Sequence, residues 1–160
     1  NMKFSLNGAL TIGTLDGANV EIREAVGAEN FFLFGLKADE VTAIKSAGYN
    51  PKKYIDENEE LQDVLQLIAS GFFANGDTGV FQRIVDDLYG NDQYLLAADF
   101  ASYMECQQAV SDAYSNPTNW ARMCILNVAR MGHFSSDRAI AEYCKNVWNV
   151  KPASTNSKKS

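Results

Sequence analysis

Two short apolar runs near the N-terminus have the length and residue types of β-strands. They are residues 10–14 and residues 31–34, and the second is so continuously apolar that it predicts a strand buried on both faces. Ala18–Val26 is predicted to be a helix, with a capping turn at Asp16-Gly17 before it and Gly27 after it. A strand, a helix and a strand in this order predict a parallel pair joined by a right-handed crossover.

After Gly35 the apolar residues recur at three- and four-residue spacing, which predicts helices and no further strand. Residues 39–47 are expected to form a helix that ends at Gly48, because glycine tolerates the left-handed conformation that closes helices. Five more helices are predicted from the stripes Leu61, Val64, Leu65 and Ile68; Phe81, Ile84, Val85 and Leu88; Phe100, Tyr103, Met104, Val110 and Tyr114; Trp120, Met123, Cys124, Val128 and Met131; and Ile140, Cys144, Val147 and Trp148.

Glycine, proline and polar capping residues predict several of the helix boundaries. Gly71 is expected to end the helix before it, and residues 75–79 have the composition of a surface loop. Asn116-Pro117 predicts a capped helix start, because proline at the first helical position loses no hydrogen bond. Ser135 or Ser136 is expected to cap the last helix.

Composition and charge exclude some classes of function. The chain has 160 residues, 46% of them hydrophobic, and a formal net charge of −6, which argues against sequence-independent binding to nucleic acid. It has no apolar run long enough for a membrane span, and residues 1–8 lack the apolar core of a secretory signal. Because the first residue is asparagine, we expect an excerpt of a longer protein. Residues 1–150 are expected to be folded and residues 151–160 to be a disordered tail.

The residues that most often bind metals form no pattern. Cys106, Cys124 and Cys144 are far apart, which predicts reduced thiols in helices rather than disulfides or zinc ligands. His133 is the single histidine and is expected in the connection between the last two helices. We therefore predict no metal site.

Lys3, near the N-terminus, is a candidate for covalent chemistry through its side-chain amine. It stands among apolar neighbours, and a desolvated lysine favours the neutral amine that forms a Schiff base. A lysine close to a chain terminus is nevertheless usually a solvated surface group. The residue type alone is therefore weak support for a site.

The residues around Lys3 make a more specific pattern. Met2-Lys3-x-x-Leu6-Asn7 resembles the closing half of the pyridoxal-phosphate signature of α-glucan (glycogen, starch or maltodextrin) phosphorylases of bacterial type, and residues 8–21 continue the resemblance. The similarity covers roughly residues 1–150. Further similar strings are residues 30–35, 48–49, 98–100, 120–122 and 134–138.

The resemblance implies a fold, a cofactor and a reaction. The whole enzyme would have the α/β GT-B arrangement of two Rossmann-like domains, and this chain would be the C-terminal part of the domain that binds pyridoxal 5′-phosphate. Lys3 would form the Schiff base to that cofactor. Inorganic phosphate would cleave terminal α-1,4 bonds of a glucan and release glucose 1-phosphate, with the cofactor phosphate acting in acid–base or electrostatic catalysis. Family members are usually cytoplasmic homodimers.

Several family features precede the first residue, including the glycine-rich phosphate loop and the sugar-binding domain. We assign no catalytic side chain besides the Lys3 anchor, and we predict that the chain alone is inactive and exposes much apolar surface. The alternative interpretation is a non-catalytic helical module that binds no cofactor. Residues 13–18 could also present backbone N–H groups to an anion, although tight packing explains their glycines better. Three acids near this turn are expected to be caps or solvated groups rather than acid–base catalysts; they are Asp16, Glu21 and Glu24.

Overall fold

A computed structural model describes residues 1–151, which form a small parallel sheet followed by helices. Strand β1 is Ile12–Gly13 and strand β2 is Phe32–Leu33, with Ile12 opposite Phe32 and Gly13 opposite Leu33. The predicted parallel pair is therefore confirmed, although both strands are shorter than the predicted residues 10–14 and 31–34. After β2 the described residues contain no further strand, as predicted. The expectation of a disordered tail lies, from residue 152 onward, outside the described residues.

The predicted helices are present, together with two that the pattern did not predict, α1 and α4. None of the described helices is both long and apolar enough to cross a membrane. Short 3₁₀ turns lie at Ala28–Asn30, Phe72–Ala74 and Met131–Phe134. The α-helices are α1 Met2–Leu6, α2 Ala18–Val26, α3 Ala38–Ser46, α4 Pro51–Asp56, α5 Glu59–Ala69, α6 Gln82–Gly90, α7 Leu96–Tyr114, α8 Pro117–Arg130 and α9 Ser136–Asn146.

Most predicted boundaries are confirmed. Gly48 and Gly71 both have positive φ, at 88° and 78°, where a side chain would be strained. Asn116 caps α8, since its side-chain oxygen accepts from the backbone N–H of Asn119 at 3.1 Å. The cap of α9 is only partly as predicted, because Ser135 occupies the N-cap position without a side-chain hydrogen bond to the helix.

The predicted turn at Asp16-Gly17 is present, but the Asp16 side chain does not cap α2. Gly17, with φ at 48°, occupies the N-cap position of α2, and no side chain caps this helix. The Asp16 Oδ1 instead accepts from the hydroxyl of Thr14 at 3.0 Å. A carboxylate used to stabilise its own turn in this way is turned away from the helix N–H groups.

Two clusters of buried apolar side chains form the core. The first, which we call the sheet cluster, contains Ile22, Val26, Phe31 and Met131. The second, the helix cluster, joins α4, α5 and α7 through Ile55, Leu61, Leu65 and Ala97.

Residues 31–34 are less buried than predicted. Phe31 is 6% exposed and belongs to the sheet cluster, but the three residues after it are only half-buried. Phe34 packs edge-on against Tyr103 of α7 at a ring distance of 5.2 Å. The error has a physical cause, because in the described residues β2 has a single neighbouring strand.

Apolar surface is left uncovered elsewhere, as expected. Phe4 in α1 is 73% exposed and Phe72 is 71% exposed. The stripe predicted to be the inner face of α9 is also open, with Ile140 at 50% and Val147 at 66% exposure. Ile140 and Cys144 lie on α9 as predicted, but Val147 and Trp148 lie beyond its last residue, Asn146. The described residues supply no surface that covers Ile140 or Val147.

Candidate functional site

Lys3 lies on α1, a five-residue helix with a side-chain hydrogen bond near each end. At the start, the Asn1 Oδ1 accepts from the backbone N–H of Met2 at 2.8 Å. At the end, the Asn7 Nδ2 donates to the carbonyl of Lys3 at 2.7 Å. A helix this short has few internal hydrogen bonds, so these asparagines satisfy backbone groups that would otherwise need water.

The N-terminal end of α1 is tied to the end of strand β1. Asn1 donates through Nδ2 to the Oδ1 of Asn19 at 3.0 Å, and Asn19 donates through its own Nδ2 to the carbonyl of Thr14 at 3.0 Å. A side chain at Gly13 would bring its Cβ to 2.6 Å from the Asn19 Nδ2. Glycine at this position therefore leaves the space that Asn19 needs to bridge the lysine helix and the sheet.

The C-terminal end of α1 is tied to helix α8. Asn127 is fully buried, and its Nδ2 donates to the carbonyls of Ser5 at 2.9 Å and Ala9 at 3.0 Å. Ser5 is 1% exposed, and its hydroxyl lies 3.2 Å from that of Thr11. The turn between the two carbonyls passes through Gly8, whose φ of 89° favours glycine. The backbone that carries Lys3 is thus fixed on both sides.

The Lys3 side chain itself is exposed, and it forms no ion pair with any described residue. The suggestion that apolar neighbours bury it is wrong for this part of the chain, because Met2 is 41% and Phe4 73% exposed. A primary amine on a fixed backbone, without an acidic partner, still fits covalent attachment of an aldehyde cofactor. The residues present therefore fit the group that the sequence implies, although they build no pocket around it.

A cavity of about 540 Å³ opens at the carboxyl ends of the two strands, where α/β proteins commonly bind ligands. Thr14, Asp16 and Asp99 contribute its polar lining, but Lys3 does not line it. The predicted turn at residues 13–18 therefore borders a cavity, yet the described residues do not join that cavity to the lysine.

Helix α7 holds the loop that follows β2. The N–H of Leu36 donates to the Asp99 Oδ1 at 2.8 Å, and the N–H of Gly35 donates to the Ser102 hydroxyl at 3.1 Å. Burial raises the pKa of the Asp99 carboxyl, and the hydrogen bond from Leu36 partly opposes that rise. These contacts satisfy loop N–H groups and give the carboxylate a structural role.

The cysteines and the histidine lie where the sequence predicts them, in helices and in the connection between α8 and α9. Cys106 is buried, which raises the pKa of its thiol, and Cys124 and Cys144 are half-buried free thiols. His133 is exposed in the 3₁₀ turn between α8 and α9, and its carbonyl accepts from Arg138. Within residues 1–151 no group of three His, Cys, Asp or Glu side chains is arranged to hold a metal ion. Asp16, Glu21 and Glu24 are all exposed, as expected of solvated carboxylates.

Asn127 is the residue that sequence reasoning missed. The apolar stripe of α8 was read from its hydrophobic positions alone, yet Asn127 lies four residues after Met123 and four before Met131. All three are buried, at 0%, 5% and 0% exposure respectively. A polar residue on the inner face of a predicted helix is a signal that a buried hydrogen-bond partner is needed.

Comparison with known proteins identifies the family to which the chain belongs. The family model for carbohydrate phosphorylase matches residues 1–150. The chain belongs to the carbohydrate phosphorylase family, and the resemblance identified from the sequence is confirmed.

Individual relatives support the same assignment. The chain is 60% identical over 152 residues to glycogen phosphorylase of Synechocystis sp., a match that covers 95% of this chain. It is 48% identical over 153 residues to the muscle form of glycogen phosphorylase of Homo sapiens, and 47% identical to that of Mus musculus. It spans 18% of the length of each of these relatives.

Proposed function

We propose that this chain is the C-terminal, cofactor-holding part of an α-glucan phosphorylase. The whole enzyme would use inorganic phosphate to cleave terminal α-1,4 bonds of a glucan and release glucose 1-phosphate, reversibly. The family membership and the 60% identity to a glycogen phosphorylase support this proposal. The parallel strand pair followed by helices is compatible with a piece of the GT-B architecture proposed for the whole enzyme. A cytoplasmic homodimer belongs to the same proposal.

Lys3 would hold pyridoxal 5′-phosphate covalently through its amine. The observation that carries this assignment is the Met2-Lys3-x-x-Leu6-Asn7 string, which lies on a short helix tied to the sheet at one end and to α8 at the other. When bound, the cofactor would supply a phosphate with a second pKa of about 6, suited to proton transfer or electrostatic stabilisation beside the substrate phosphate.

The residues of this chain would contribute position rather than proton transfer. Asn1 and Asn7 satisfy the backbone of α1, and the bond from Asn1 to Asn19 fixes the start of this helix relative to the sheet. A cofactor that is bonded to a side chain with a fixed backbone stays close to its reaction partners, which lowers the entropic cost of aligning them. We assign no acid–base role to any side chain of residues 1–151.

The test compares two proteins, the complete phosphorylase that contains this chain and the 160-residue chain alone. With glycogen and inorganic phosphate, the complete protein should release glucose 1-phosphate and show the near-ultraviolet absorbance of a bound cofactor. The chain alone should release none, because the phosphate loop and the sugar-binding residues of the family lie outside it. A complete protein without activity and without cofactor would refute the proposal. Activity in the chain alone would show that these residues suffice.

A further inference from the structure

The buried side-chain amide of Asn127 donates hydrogen bonds to two backbone carbonyls that are distant from it in sequence and close to Lys3. The Ser5 and Ala9 carbonyls stand at either side of the turn that ends the lysine helix. The Ser5 carbonyl already accepts from the N–H of Gly8 at 3.0 Å. The Asn127 bond is therefore additional to the hydrogen bond that closes the turn, and it fixes the turn to α8.

Burying the Asn127 amide costs free energy unless hydrogen bonds within the protein replace those to water. The Asn127 Oδ1 is also buried, and no described group donates to it. An apolar residue between Met123 and Met131 would continue the helix stripe without leaving that oxygen unpaired. The amide is thus explained by its two donated bonds and by the segment that they hold.

We infer that Asn127 is a positioning residue for the cofactor lysine. By clamping the Ser5 and Ala9 carbonyls, it sets the height and orientation of α1 on α8, and with them the direction in which Lys3 leaves the backbone. This inference rests on the proposed role of Lys3. It assigns to α8 a function in cofactor retention that is separate from its packing against α2 and α7.

The chain offers a matched control in Asn30. This residue is also buried, at 1% exposure, and its Oδ1 has no described donor. Its Nδ2 donates to the carbonyl of Val26 at 2.9 Å and to the Oε1 of Glu29 at 3.0 Å. Its bonds hold the end of α2 and do not reach α1. Equal changes at the two asparagines therefore each remove two donated hydrogen bonds, including one to a buried backbone carbonyl, and only those of Asn127 reach the lysine helix.

The experiment uses the complete phosphorylase with four variants, Asn127→Leu, Asn127→Asp, Asn30→Leu and Asn30→Asp. Cofactor content after dialysis, the rate of cofactor release and the near-ultraviolet absorbance of the bound cofactor are measured, with thermal midpoints recorded for each protein. Asn127→Leu should release cofactor about tenfold faster than Asn30→Leu, the size expected for a lost buried hydrogen bond. Equal release rates in the two variants would overturn the inference.

Asn127→Asp keeps the test decisive if the leucine variant does not fold. Its carboxylate cannot donate to the two carbonyls, whereas the protonated acid regains one donor. Cofactor retention should therefore improve as the pH falls, by more than in the parent enzyme or in Asn30→Asp. The same pH profile in all three proteins would contradict a clamp at residue 127.

Borohydride reduction of the parent enzyme separates failure of this inference from failure of the proposed function. Reduction makes the link between amine and cofactor permanent, and peptide mapping then locates it. A label on another lysine removes the basis of both proposals. A label on Lys3, combined with equal release rates in the residue 127 and residue 30 variants, removes the Asn127 inference alone.

Discussion

The sheet cluster and the helix cluster are stabilised in different ways. The helix cluster joins neighbouring helices, and its members Ile55 and Ala97 are connected by a chain that is helical for most of its length. The sheet cluster brings Met131 against Phe31 and Ile22, from opposite ends of the described chain. Closing long loops costs more entropy than packing neighbouring helices, so the region that carries Lys3 depends more on distant residues.

Buried polar groups show the same difference. In the helix region, Asp92 accepts from the N–H groups of Leu96 and Ala97 and from the hydroxyl of Tyr49, at 2.6–2.9 Å. In the sheet region, the buried asparagines donate to carbonyls instead, as when the Nδ2 of Asn127 donates to the Ser5 carbonyl at 2.9 Å. Short elements leave carbonyls free, and donors from α8 satisfy them. The turn that ends the lysine helix is therefore held by a donor from α8.

The largest expected effect is at Lys3. In the complete enzyme Lys3→Arg should lose all covalently bound cofactor, because guanidinium keeps the charge but does not form the bond with the aldehyde. Lys45→Arg is the control in the helix region, where the Lys45 Nζ donates to the Gln93 carbonyl at 3.1 Å. Absorbance and borohydride labelling measure the difference. Lys3→Ala should be partly rescued by pyridoxal phosphate together with a small amine, and full activity of Lys3→Arg would overturn the assignment.

A pair of core truncations compares the two clusters directly. Met131→Ala and Ile55→Ala each remove a fully buried side chain, and each should lower the free energy of unfolding by about 2–5 kcal/mol. Hydrogen exchange should show where each loss falls. Met131→Ala should raise exchange in α1, α2 and both strands, whereas Ile55→Ala should raise it in α4 and α5. Identical exchange patterns would mean that the two clusters unfold as one unit.

Tyr49 tests the helix region through its pH dependence. Burial, and then the hydrogen bond to Asp92, raise the pKa of the Tyr49 phenol well above its usual range. The folded state thus holds this proton more tightly, so the stabilisation is complete below the unfolded pKa of about 10 and is lost as the pH rises above it.

In Tyr49→Phe, the free energy of unfolding should therefore fall less between about pH 10 and 12 than it does in the parent protein. At neutral pH it should lower the free energy of unfolding by roughly 1.5 kcal/mol, the value of a hydrogen bond to a carboxylate. Urea unfolding across this pH range is the measurement, and cofactor release should not change. An unchanged slope at alkaline pH would contradict the account.

The smallest effects are expected at two matched helix caps. Asn116 caps α8 and Asn58 caps α5, each through its side-chain oxygen, at 3.1 Å and 2.9 Å. Replacing either by alanine should cost about 1 kcal/mol. Only Asn116→Ala should also speed cofactor release, because α8 carries Asn127. Equal rates of cofactor release from both variants would contradict a specific link between α8 and the lysine helix.

Local signals in the sequence predicted most of the fold, and long-range contacts account for most of the errors. Gly48, Gly71 and Asn116-Pro117 act on their own backbone, so their roles were visible without a structure. Asn50-Pro51 makes the same start signal, and Asn50 does cap α4 at Lys52, but six residues were too short to show a helical period.

The burial of side chains was harder to predict than their periodicity. The run of apolar residues at 31–34 predicted a strand but could not reveal that β2 has one neighbour within the described chain. The Lys3 motif identified the family, whereas the bonds that hold its helix come from Asn19 and Asn127. Those partners are fixed by tertiary structure, which a short motif does not encode.

The clamp also has a consequence in time. A ribosome adds roughly 5–20 residues per second, so the codon of Asn127 is translated about 6–25 s after that of Lys3. During that interval the lysine helix has no α8 to rest on, and the Ser5 and Ala9 carbonyls bond to water. In a cell, each new molecule must therefore pass through a period in which Lys3 has been synthesised but the α8 residue that holds its helix has not.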